Sequence, residues 1–119
     1  MVVTDLTAAV IHWGMYNIPG NTTRLPLDAG TAGSSFGTMV NNDVNGTAAY
    51  AGPCPPKGVE PVVHQYRFAV YALSTMLDLP SSANFPANSI TLYRALFRAA
   101  RDGQILNSAS IEGNYSSTP

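Results

Sequence analysis

The chain has 119 residues, 45% of them hydrophobic and only 11% charged, with a net charge of −1. That length makes one domain with a sizeable core rather than two. The near-neutral balance gives no basic field for nucleic acid or an anionic membrane, and no apolar run approaches the roughly 20 residues of a membrane span.

The N-terminal MVVTDLTAAV lacks a basic n-region and a long apolar h-region, so it does not read as a signal peptide. Three Asn-X-Ser/Thr sequons, at Asn21, Asn45 and Asn114, lean nonetheless towards a secreted or secretory-pathway parent. Val10 to Ile18 (VIHWGMYNI) has the composition of a strand, ended by a Pro19-Gly20 turn. Alternation along it sends His12 and Trp13 to opposite faces. Residues 20–48 form a polar, glycine-rich connection with a short strand within Ser35 to Val40.

A proline-stiffened loop follows, carrying Tyr50, Gly52, Pro53, Cys54, Pro55 and Pro56. Its prolines fix φ, so it has little conformational freedom to lose on folding. Cys54 is the chain's single cysteine, which has no internal disulfide partner and reads as a small buried thiol. The loop runs into an apolar, aromatic strand from His64 to Leu73. After a bend at Leu77 to Pro80 and another polar loop comes the one clear helix, Ser89 to Arg101, capped by Asn88 or Ser89. Ile90, Tyr93, Leu96, Phe97 and Ala100 recur on it at helical spacing as the expected core stripe. Arg94, Arg98 and Arg101 read as its solvated face, and Gly103 stops it. Ser108 to Tyr115 forms a final short strand. The order strand, strand, helix, strand predicts a mainly β domain with a helix packed outside.

His12 and His64 are the side chains suited to changing charge near neutrality. Two readings stand side by side: both rings reach one cavity and donate to an anion, or each merely satisfies a backbone carbonyl. They lack a third ligand at suitable spacing for zinc, so no metal is expected. No nucleophile elbow, phosphate-binding glycine loop or other cofactor signature is present. Tyr50, Tyr66 and Tyr115 are candidate hydrogen-bond donors for a pocket, although aromatic residues at strand positions are more often core.

The ordered string HWGMYNIP, YAGPCPPKG, HQYRFAVYAL, LDLP, DGQIL and EGNY resembles the phosphatidylethanolamine-binding protein family, best its Raf-kinase-inhibitor-like branch. The resemblance implies a β-sandwich with a small anion-binding pocket at one end, which takes phosphate, a phospholipid head group or a carboxylate. It implies that His12, His64 and Tyr66 serve that pocket, that Gly52, Pro53 and Cys54 lie in the loop approaching the anion, and that Tyr50 stands beside it. Asp5 occupies the region of the family's acidic D-P-D-x-P motif, which is otherwise missing; Gln65 and Gln104 replace an arginine and a histidine of the family pattern.

Residues 1–119 thus read as a single domain, the C-terminal portion of the family domain without its first strands. The sheet so uncovered invites pairing with a second copy of the chain. The function implied is binding of a small anionic ligand without a cofactor. The alternatives are a fungal secondary-metabolism enzyme joining maleic anhydride or carboxylate monomers into maleidrides, with His64 or His12 as the catalytic base, and a kinase or protease inhibitor.

Overall fold

The computed structural model describes all 119 residues. Its elements are β1 (Val2–Asp5), β2 (Val10–Tyr16), β3 (Thr38–Met39), β4 (His64–Leu73), α1 (Ser89–Arg101) and β5 (Ile105–Tyr115). The strands form one sheet in the order β3-β2-β1-β4-β5, with every neighbouring pair antiparallel. The architecture is mainly β with one helix, as the sequence implies. A single sheet provides it, flanked by α1 on one face and by the segment carrying Leu25, Ala29 and Phe36 on the other.

The centre of the sheet is β1, a strand that carries no local signal. Its four residues, VVTD, are too short a run to show a period, yet they pair with β2 on one side and β4 on the other. Val2 and Val3 are both buried because they face opposite ways. Val2 joins Ile11, Val40, Leu92 and Leu96 beneath the helix, while Val3 joins Trp13, Met15 and Ala29 on the other face. Burial of each such side chain is worth about 1.5–3 kcal/mol, so this short strand ties the two cores together.

Helix α1 starts where expected. Asn88 Oδ1 accepts from the Thr91 N–H, and Thr91 Oγ1 accepts from the Asn88 N–H, closing a capping box. Its buried face is not the expected one. Ser89, Leu92, Ala95, Leu96 and Ala99 face the sheet, whereas Ile90, Tyr93, Phe97 and Ala100 lie outside that face. The reason is close approach. A Cβ on Gly14 of β2 would lie 2.6 Å from Val40 Cγ2 and 2.8 Å from Leu92 Cδ2, so the helix seats Leu92 directly against the strand and its next turns come close to the sheet. Ala95 and Ala99 suit that approach, and bulky Tyr93 and Phe97 do not.

The remaining differences concern strand ends. β5 begins at Ile105, earlier than expected, and pairs along the whole of β4. The strand expected within Ser35 to Val40 shrinks to Thr38–Met39. β2 stops at Tyr16, where Asn17 turns to φ +55° and exchanges two hydrogen bonds with the Leu77 backbone, of 2.8 and 2.9 Å. No helix is long and apolar enough to cross a membrane.

Candidate functional site

A break in strand pairing builds the site. The β1–β2 register matches Val3 with Trp13 and then Thr4 with Ile11, so His12 is the extra residue of a β-bulge. Simple alternation puts His12 opposite Trp13, but the bulge brings both to the same face. Trp13 packs against Val3 in the core, and His12 lines a pocket with that same Val3. The expectation of opposite faces fails because alternation holds only along an uninterrupted ladder.

The bulge leaves His12 to the proline loop. The His12 carbonyl accepts from the Ala51 N–H at 2.9 Å, and ring Nδ1 lies 2.8 Å from the Ala51 carbonyl oxygen. A carbonyl only accepts, so Nδ1 carries the proton and Nε2 of the neutral ring is left as an acceptor. The loop itself is pinned. Asp43 Oδ2 accepts from the Ile11 N–H at 2.9 Å, and the Tyr50 N–H donates to the Gly30 carbonyl at 2.8 Å. Gly30 permits that approach, since a Cβ there would fall 2.6 Å from Tyr50 Cβ.

From β4, His64 and Tyr66 point to one face as alternate residues, and Asp5 is the register partner of Tyr66. His64 Nδ1 donates to Asp5 Oδ2 at 2.6 Å in a buried pair. The other Asp5 oxygen accepts from the backbone N–H groups of Thr7 and Ala8 at 2.9 and 3.0 Å. Burial pushes the Asp5 carboxyl up, but the hydrogen bonds from His64, Ala8 and Thr7, with the imidazole charge, outweigh it and hold the group below its ordinary value.

Tyr66 is 5% exposed, and its hydroxyl is the one buried side-chain polar atom without a hydrogen-bond partner. Burial first, then the Asp5 charge and an approach to its carboxylate that falls short of hydrogen-bond geometry, push this phenol up to about 12, so it stays a donor at any physiological pH. Its ring meets His12 edge to face, with centroids 5.3 Å apart.

Beside these groups lies a half-open cavity of about 210 Å³. His12, Tyr50, Pro53 and Tyr66 line it with Val3 and Phe68, and β5 closes it with Gly113, Asn114 and Tyr115. Of the residues singled out in the sequence, Asp5 and His64 sit beside the wall, bonded to each other rather than lining the cavity. Gly52 and Cys54 lie outside it. The Cys54 thiol is exposed, contrary to the buried one expected, because the loop's inward residue is the buried Pro55. Val3, Phe68 and Asn114 were not foreseen. Phe68 follows from counting two residues beyond Tyr66, whereas Val3 and Asn114 depend on the pairing register.

No cluster of three His, Cys, Asp or Glu side chains is placed to hold a metal ion. A larger cleft of about 700 Å³ lies at the other end of the sheet, around Ile18, Leu73 and Leu77. It is mostly apolar and is lined by no histidine or carboxylate side chain.

A family model described as phosphatidylethanolamine-binding protein matches residues 2–116. The chain belongs to the phosphatidylethanolamine-binding protein family. Relatives of this family include a UPF0098 protein of Methanothermobacter thermautotrophicus, 35% identical over 87% of this chain and 61% of its own. A UPF0098 protein of Aquifex aeolicus is 34% identical over 87% of this chain and 55% of its own. The crystal structure of Escherichia coli YbcL, described as a new member of the mammalian family, superposes with a TM-score of 0.73 at 30% identity. That match covers 97% of this chain and 68% of YbcL. The chain thus spans between 36% and 61% of the length of the curated relatives it matches.

Proposed function

We propose that this chain is a binding module for a small oxyanion, either a phosphate group (free or on a head group) or a carboxylate, held in the cavity between His12 and Tyr66. The observation that carries the reading is the buried Tyr66 hydroxyl with no partner in the protein. Leaving such a group unbonded costs about 1–3 kcal/mol, and an oxyanion accepting from it removes that cost. The His12 Nε2 beside it accepts from a ligand O–H, or donates once the ring is protonated. A ligand that carries its own O–H binds without further protonation, whereas an anion that carries none binds with uptake of a proton from solvent by the ring.

The Asp5–His64 pair has a supporting role. Its carboxylate is covered by the imidazole and two backbone N–H groups, so an entering anion does not meet a bare like charge. This arrangement favours binding over catalysis, because His64 is engaged by Asp5 and does not line the cavity. The apolar side chains of Val3, Phe68 and Pro53 lower the local polarity of the wall, which strengthens a polar contact made against it.

The reading is tested by thermal unfolding with inorganic phosphate, ethanolamine phosphate and succinate at mildly acidic and mildly alkaline pH. A ligand at 100 times its Kd stabilises the native state by about 2.7 kcal/mol, a rise of several degrees in Tm. The rise is expected to be larger at the acidic pH. No shift with any of the three anions refutes the proposal.

A further inference from the structure

We propose that the outward face of α1 docks on an anionic lipid bilayer surface, a role independent of the anion pocket. The observation is a concentration of cationic and apolar side chains on one exposed helix of a nearly neutral protein. Arg94, Arg98 and Arg101 are three of the chain's six basic residues, and the helix sequence SITLYRALFRAAR contains no acid. Arg94 and Arg98 make no ion pair, and Arg101 meets only the exposed Asp102 that ends the helix, at 3.2 Å. Beside the arginines on the same exposed side stand Ile90, Tyr93 and Phe97, which are 60%, 46% and 72% exposed.

Helical spacing makes this a surface. At 3.6 residues per turn, Ile90, Arg94, Phe97 and Arg101 fall within an arc of about 60°. That arc lies opposite the buried Leu92, Ala95 and Ala99. The outermost line of the helix thus alternates apolar and guanidinium groups over about 16 Å, from Ile90 to Arg101. Tyr93 flanks this line and, with Tyr71 and Ile105, lines an open groove beside the helix.

A flat bilayer interface matches this pattern: the apolar tips reach the acyl boundary while the guanidinium groups meet lipid phosphates. The attraction is local. Screening over roughly 8–10 Å at physiological salt prevents distant acids from cancelling the three arginines. The net charge of −1 therefore conceals the patch rather than excluding it.

The test is co-sedimentation of the 119-residue chain with vesicles of phosphatidylcholine alone or with about a third phosphatidylserine, at low and high salt. Binding is expected to the phosphatidylserine vesicles only and to weaken with salt. Replacing Arg94, Arg98 and Arg101 by Gln is expected to weaken it roughly fivefold per residue. Phe97→Trp is expected to shift its emission to the blue on vesicles, while Arg67→Gln, at an exposed position on β4, binds like the parent. Since the substituted side chains are exposed, circular dichroism should report an unchanged fold. Equal binding to neutral vesicles, arginine variants that bind like the parent, or an emission of the Phe97→Trp variant that does not move on vesicles overturns the proposal. Self-association abolished by Phe97→Ser, with no vesicle binding by the parent, overturns it in favour of a second copy as occupant.

Discussion

Tyr66→Phe separates the two roles a buried tyrosine can have. The phenylalanine ring keeps the edge contact with His12 and removes only the hydroxyl, which has no partner to lose. Relief of the desolvation penalty, about 1–3 kcal/mol, set against a small void, predicts a ligand-free protein as stable as the parent or about 1 kcal/mol more stable. Binding responds in the opposite sense. A hydrogen bond to a charged acceptor contributes about 1.5–3 kcal/mol, so phosphate affinity should fall about 10- to 150-fold. Urea unfolding gives the first quantity, read as a higher or equal midpoint at unchanged m value. Titration calorimetry with phosphate gives the second. A variant that is clearly destabilised yet binds phosphate like the parent would show the hydroxyl to be structural and refute the reasoning.

Three further outcomes follow from the same geometry. Asp5 titrates below its ordinary value of 3.8 when folded, so its stabilising contribution is complete above that pH and is lost as pH falls through the folded value; Asp5→Asn should flatten the acid limb of a stability profile below about pH 4. Tyr66 titrates at about 12 rather than 10.0, so its proton linkage supports the fold fully below pH 10 and is lost as pH rises to 12. Alkaline unfolding followed by circular dichroism should therefore be steeper for the parent than for Tyr66→Phe. Gly14→Ala should destabilise by about 1–3 kcal/mol, the usual cost of overpacking, because its Cβ meets the fully buried Val40; chemical denaturation checks it.

Composition and local motifs made the two long strands, the helix and its cap legible, while the family resemblance pointed to His12, Tyr50, Pro53 and Tyr66, which line the cavity, and to Asp5, Gly52, Cys54 and His64, which do not. What they could not show depends on contacts between distant segments. The bulge at His12 inserts one residue against β1, and parity counting from β2 alone reverses the face of every residue beyond it. The central strand VVTD is recognisable only by its two partners. The Asp5–His64 bond links positions 59 residues apart through that unforeseen strand. On α1 the periodicity allowed two apolar stripes, and the bulkier one was the natural choice for a core. The close approach at Gly14 selected the alanine stripe instead. Bulky apolar residues thereby left outside are what give the helix its second face.

The most direct test follows the ring nitrogens of His12 and His64 by long-range proton–nitrogen correlation spectroscopy while inorganic phosphate is added at mildly acidic pH. An oxyanion held between His12 and Tyr66 predicts a saturable shift of His12 Nε2, a smaller response from the Asp5-bound His64, and loss of both in Tyr66→Phe. Ring signals that stay fixed while phosphate saturates some other surface, or a His12 response that survives loss of the Tyr66 hydroxyl at full strength, would contradict it.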